Sequence, residues 1–118
     1  MAAPLIIFGI RTCDTVAKAR AWLDAAGLSY RFHDFRADGL SRERLEQWLG
    51  RVGWEALLNR ASATFRALPA EDRAGLDDVK AARLMLTQPT LIKRPVLERG
   101  EAVMVGFKPE RYQAFLAA

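Results

Sequence analysis

Apolar residues recur along the chain at several different spacings, and each spacing predicts a different element. Leu5, Ile6, Ile7 and Phe8 form a short, unbroken, β-branched run, the pattern of a strand buried on both faces, with Gly9 as its punctuation. From Thr15 onward Val16, Ala19, Leu23 and Ala26 recur at helical spacing, and Ala17, Ala21 and Ala25 add helix propensity. Gly27 stands where a left-handed C-terminal cap belongs. Residues 28–35 alternate, with Tyr30 and Phe32 set against Arg31 and His33, which predicts a second strand. A strand, a helix and a strand within about 30 residues predict a right-handed parallel crossover.

The middle of the chain changes period. Residues 37–40 read as a turn, after which Ser41 can cap a helix carrying Leu45, Trp48, Leu49 and Val52 on one face, interrupted at Gly53. Trp54 opens a short helical piece reaching residue 60, and residues 61–64 read as a loop before Phe65. Pro69 fits the first turn of a short helix ending at Gly75. Asp77 can cap a longer one through Val79, Ala82, Leu84, Met85 and Leu86, which Pro89 stops. Trp48, Trp54 and Phe65 are expected in the core.

Strand signals then return. Residues 92–98, a tight turn at 99–101 and residues 102–106 predict an antiparallel hairpin. Pro109 opens a closing helix with Tyr112, Phe115 and Leu116 on its buried face. No repeat or linker separates these regions. The expectation is one α/β domain over residues 1–118, with a core at about 4–36 and 90–118 and a helical insertion at about 40–89.

Composition narrows the chemistry. With 118 residues, 51% hydrophobic and 27% charged, the chain reads as one ordinary globular domain. A single cysteine permits no internal disulfide, and with a single histidine there is no ligand set for a metal, so none is expected. The opening has no basic region before its apolar run, and that run is too short for a signal-peptide core or a membrane span, so no membrane contact and a cytoplasmic location are expected. A net charge of +4 favours anionic partners such as phosphate, arsenate or acidic peptides. Its basic residues are dispersed without interleaved aromatics, which argues against nucleic acid.

The single cysteine, Cys13, falls at the junction of the first strand and the first helix. Unpartnered N–H groups and the positive end of the macrodipole stabilise a thiolate or a bound oxyanion there. A cysteine so placed can titrate nearer neutrality, and the thiolate is the nucleophile. Arg11 adds to the positive field, whereas the carboxylate of Asp14 acts against it. The plain alternative is an ordinary buried cysteine. His33 reads as a half-exposed strand residue, and no local motif supports a Cys13–His33 pair.

Several segments together resemble a known family: Gly9-Ile-Arg-Thr-Cys-Asp-Thr-Val, Phe32-His-Asp-Phe-Arg-Ala-Asp-Gly, Gly53-Trp-Glu-Ala-Leu-Leu-Asn, Ile92-Lys-Arg-Pro-Val and Val105-Gly-Phe. They are similar to the YffB-type branch of the glutaredoxin-coupled arsenate reductase (ArsC) and Spx family, and the resemblance runs from about residue 5 to 116. It implies a thioredoxin-like fold with a mixed four-stranded sheet and an inserted helical subdomain, Cys13 as nucleophile, and Pro95 as a cis-proline facing it. Arg94 matches an anion-holding arginine of the arsenate reductases. Another is matched by Arg60, displaced by one position, or by Arg66. A third has only Lys108 nearby, and Asp14 occupies a place where small, glycine-like backbone is typical. Both departures count against arsenate as the substrate, since an unpaired desolvated charge is costly.

A thiol substrate fits the resemblance better. Without a second cysteine at Val16, a mixed disulfide on Cys13 must be resolved by an external thiol. Glutathione is the expected co-substrate, with no bound cofactor. Its site would comprise Arg94, Lys93 and Arg60 for the carboxylates, the extended backbone before Pro95, and Arg11, Thr12 and Asp14 around Cys13. A glutaredoxin or a disulfide substrate are the other expected partners, with the chain as a monomer. The alternative is an Spx-like, protein-binding regulatory adaptor without turnover.

Overall fold

The computed structural model describes residues 3–117. Elements follow in the order β1 (Leu5–Gly9), α1 (Asp14–Ala25), β2 (Arg31–Asp34), α2 (Phe35–Asp38), α3 (Arg42–Val52), α4 (Trp54–Leu57), α5 (Ala63–Arg66), α6 (Ala70–Arg73) and α7 (Asp78–Thr87). A 3-10 turn at Pro89–Leu91, β3 (Val96–Arg99), β4 (Ala102–Val105) and α8 (Pro109–Ala117) complete it. The chain forms two compact units. One comprises the segment up to Asp38 together with the segment from Arg94 onward, and the other is Gly39–Lys93.

The first unit carries a four-stranded mixed sheet in the order β2-β1-β3-β4. β1 pairs parallel with β2, from Ile6 opposite Arg31 to Gly9 opposite Asp34. It pairs antiparallel with β3, from Leu5 opposite Arg99 to Phe8 opposite Val96, and β3 turns back into β4. β1 is therefore central, and Ile7 and Phe8 are fully buried, as expected of an apolar run without alternation. α1 presents Val16, Ala19 and Leu23 inward. It ends where Gly27 adopts φ +73°, a conformation that a side chain disfavours. Ala19 and Leu23 join Leu5, Ile7, Leu97, Met104 and Tyr112 in one core. The ring of Tyr112 meets Trp22 and Phe107 edge-on, at 5.8 and 4.8 Å between centroids. Arg99 donates to the carbonyls of Phe115 and Leu116, placing a cation at the C-terminal end of α8.

The second unit is helical. Ser41 caps α3 by accepting the Arg44 N–H, and Asp77 caps α7 by accepting the Lys80 N–H. Leu45, Trp48, Leu57, Met85, Leu91 and Ile92 are fully buried. The ammonium of Lys80 also reaches the carbonyls of Glu71 and Ala74, which closes the turn after α6.

Four boundaries differ from the sequence expectation. The second strand is shorter than residues 28–35, because Asp34 ends it and starts α2 where a turn at 37–40 was expected. Residues 63–66 are helical rather than loop, because Ser62 accepts the Phe65 N–H as a cap. The short helix from Trp54 stops at Leu57, since Leu58 is extended and bridges to Ile92. β3 begins at Val96 rather than at residue 92. Ile92 belongs to that bridge, and the Arg94–Pro95 peptide bond is cis.

Candidate active site

Cys13 is the N-cap of α1. Its backbone is extended, with φ −81° and ψ 124°, its N–H donates to the Ile10 carbonyl at 3.0 Å, and its carbonyl accepts the Ala17 N–H at 3.0 Å. The first bond closes a tight turn over residues 10–13, and the second begins the helix. The thiol makes no capping hydrogen bond, and the residue is half-buried. The sulfur therefore stands at the helix start without a capping role, on a half-exposed residue beside the N–H groups of the first turn. Arg11, Thr12 and Asp14, the neighbours expected to shape this site, are all exposed around it.

Pro95 lies at the same end of the sheet. Because β3 runs antiparallel to β1 with Val96 opposite Phe8, β3 starts where β1 ends, and the turn to Cys13 leaves from Gly9. The cis bond to Pro95 immediately precedes β3, and the buried Pro95 accepts the Gly106 N–H at 2.8 Å. Arg94 is half-buried before it. Arg11, Thr12, Cys13, Asp14, Arg94 and Pro95 thus belong to the sheet-bearing unit. Lys93 and Arg60 belong to the helical unit. There the Lys93 N–H donates to the Leu57 carbonyl at 2.7 Å, and the guanidinium of Arg60 lies 5.3 Å from the centre of the Trp54 ring. Arg66 is exposed at the end of α5.

One residue that sequence reasoning passed over is Asp34, the last residue of β2 and the only charged residue buried among those described, at 6% exposure. Its Oδ1 accepts the N–H groups of Arg36 (2.7 Å) and Ala37 (3.2 Å), capping α2. Its Oδ2 accepts the Arg11 N–H at 2.9 Å, two residues before Cys13. Burial alone would raise the carboxyl pKa. The three N–H donors and the nearby Arg11 charge outweigh it and hold Asp34 below its ordinary value of 3.8. The folded state therefore binds this proton less readily than the unfolded chain. The resulting stability is fully present above the unfolded value and is lost as pH falls through the folded one. Urea midpoints taken from neutrality down to about pH 3 should fall more steeply below pH 3.8 in the wild type than in Asp34→Asn. The signal was available in sequence, since an aspartate followed by Phe35, Arg36, Ala37 and Asp38 can cap a helix.

His33 sits half-buried with its ring 5.0 Å from Phe8. Among the described residues there is no group of three or more His, Cys, Asp or Glu side chains able to hold a metal ion, and no helix is long and apolar enough to cross a membrane.

A parallel βαβ unit, an antiparallel hairpin entered through a cis-proline, a closing helix and a cysteine at the first helix start define an α/β thioredoxin-like protein. Comparison with known proteins carries this further. The ArsC family model matches residues 8–115, and the chain belongs to the ArsC family. An uncharacterized protein of Haemophilus influenzae is 37% identical over 113 residues, covering 96% of this chain and 99% of that one. Among solved structures, a YffB protein has a TM-score of 0.92 at 51% identity, covering 95% of this chain and 98% of its own. An arsenate reductase (ArsC) related protein from Brucella melitensis has a TM-score of 0.78 at 50% identity, covering 98% and 96%. The chain is also 27% identical to a global transcriptional regulator Spx of Streptococcus mutans, covering 89% of this chain and 77% of that one.

Proposed function

We propose that this protein is a glutathione-dependent, arsenate reductase-like thiol reductase with Cys13 as its only protein nucleophile. The observation that carries the proposal is the placement of Cys13, half-buried, at the N-cap of α1, with its thiol outside the capping hydrogen bonds. In the proposed cycle the Cys13 thiolate attacks the glutathione sulfur of a mixed disulfide. A Cys13–glutathione disulfide forms, and the other sulfur leaves as a thiolate. A glutathione thiolate then attacks that disulfide, producing oxidised glutathione and regenerating the Cys13 thiolate. Net, one mixed disulfide and one glutathione give one free thiol and one oxidised glutathione.

The chain's single cysteine supports the external resolving step. Three residues after Cys13, where a second thiol would complete a two-thiol cycle, stands the buried Val16. Arg94 is the proposed anchor for an anionic end of glutathione, and backbone at Pro95 is its proposed pairing partner. Arsenate is the poorer substrate, because Asp14 presents a carboxylate in the first turn of the helix.

The test is to trap the first half of the cycle. Incubation with oxidised glutathione should leave one glutathionyl group per chain by intact-mass measurement. Prior alkylation of Cys13 should prevent it, and added glutathione should remove it. Absence of the adduct would overturn the proposal. The second reading, an Spx-like adaptor, is favoured by the curated relatives named Spx. It would gain if no adduct formed and a stoichiometric protein partner co-purified.

A further inference from the structure

We propose that Asp34 is a positioning residue for Cys13, its carboxylate tying the turn that carries the thiol to the neighbouring strand and to the start of α2. The inference rests on the reading of Cys13 as a functional thiol and adds a residue outside the helix that bears it.

Two parallel strands, β1 and β2, end side by side at Gly9 and Asp34. Each is followed by a change of direction. After β1 the chain must turn through residues 10–12 so that Cys13 can cap α1, and after β2 it must start α2 at once. Asp34 serves both turns with one side chain. Oδ2 takes the Arg11 N–H, a hydrogen bond spanning 23 residues of sequence, and Oδ1 takes the N–H groups of Arg36 and Ala37. The backbone of Asp34 is itself held, since its N–H donates to Oδ2 of Asp38 at 3.2 Å. Within the turn the other restraint is the Cys13 N–H to Ile10 carbonyl bond. Removing the Asp34 tether leaves one hydrogen bond to define a turn whose geometry decides whether the sulfur faces the helix start.

The chemistry of the group explains why an aspartate is needed. A carboxylate accepts on both oxygens, whereas an asparagine has one acceptor oxygen and one donor nitrogen. Asp34→Asn can keep the cap of α2 or the tether to Arg11, and it must set an N–H against an N–H at the other. The charged groups at this junction are Arg11, whose charge acts on Asp34, and Asp38 behind it. Asp14 and Arg11 flank Cys13 in sequence.

Asp34→Asn separates positioning from simple charge, because the two effects have opposite signs. Deleting a negative charge near a thiol makes the thiolate easier to form, whereas releasing the turn removes the thiol from the field of the helix start and makes it harder. The experiment is the rate of iodoacetamide alkylation of Cys13 against pH, with the melting temperature followed in parallel. The expected result is a midpoint moved up by about half a pH unit in Asp34→Asn. A midpoint that is unchanged or lower, whatever the melting temperature does, overturns the proposal and leaves Asp34 as a helix cap. Should the variant fail to fold, hydrogen exchange on the wild type decides. Protection of the Arg11 amide supports the tether, and exchange at the rate of an open loop overturns it. Alkylation reads the thiol directly, so the result stands whether or not the protein turns over glutathione disulfides.

Discussion

Cys13→Ser is expected to abolish reduction of glutathione mixed disulfides while leaving the protein as stable as before or slightly more so. The first half follows from nucleophile chemistry. A serine hydroxyl has no accessible anion near neutrality and cannot form a disulfide, and the sequence holds no other cysteine to take over. The rate should fall at least about 10³-fold, to that of glutathione alone. The second half follows from where the residue sits. The Cys13 sulfur makes no capping hydrogen bond, so no cap is lost with it. Serine is among the preferred N-cap residues, and its Oγ can accept an N–H of the first turn, a contribution of about 0.5–1 kcal/mol. An assay in which NADPH and glutathione reductase consume the oxidised glutathione reads the first effect, and a urea melt reads the second. Retained turnover would remove Cys13 from the mechanism. Lost turnover accompanied by a large loss of stability would mean that the sulfur is a packing element instead.

Much of this arrangement was legible in the sequence because it is written locally. The apolar run before Gly9, the 3.6-residue spacing after Thr15 and Gly27 at the cap mark β1 and α1 unaided. Ser41 and Asp77 announce α3 and α7 in the same way, since a cap and the helix it starts are neighbours in the chain. Pro95 was visible as a residue that forces extended backbone before it. Its cis bond entered as an implication of family resemblance, and the structure has it. What local pattern could not supply is the second role of Asp34, the tether to Arg11 beside its helix cap. Phe32, His33 and Phe35 around it carry strand propensity, so the alternation ran on through the residue that ends it. One of the three hydrogen bonds its carboxylate accepts comes from Arg11, which only the parallel pairing of β1 and β2 brings near. The helix at residues 63–66 was missed for a smaller reason. One turn is too short to show a period, and only Ser62 as a cap marks it.

Gly9→Ala is expected to be the most destabilising single-methyl change near the site, and the cost should be traceable to one neighbour. A Cβ on Gly9 would lie 2.6 Å from Cγ2 of Val16, with Cγ1 at 3.3 Å and Cβ at 3.5 Å. Val16 is 1% exposed in the first turn of α1, and a β-branched residue in a helix has one strongly preferred χ1 rotamer, so turning its methyls aside inside the core is itself costly. Relief must come from moving α1 away from β1, which displaces the helix start that Cys13 caps. Overpacking of this kind costs about 1–3 kcal/mol. Val16→Ala alone deletes two buried methyl groups and should cost about 2 kcal/mol. In the double variant the deleted methyls make room for the added one. The two costs should then fall short of additivity by about 1–3 kcal/mol, a coupling that urea melts of the four proteins measure directly. The alkylation rate of Cys13 should drop in Gly9→Ala and recover in the double variant, because the thiol follows the helix. Additive costs would mean that α1 has room to slide over β1. In that case the close contact between Gly9 and Val16 does not set the position of Cys13, and the tether from Asp34 must do so alone.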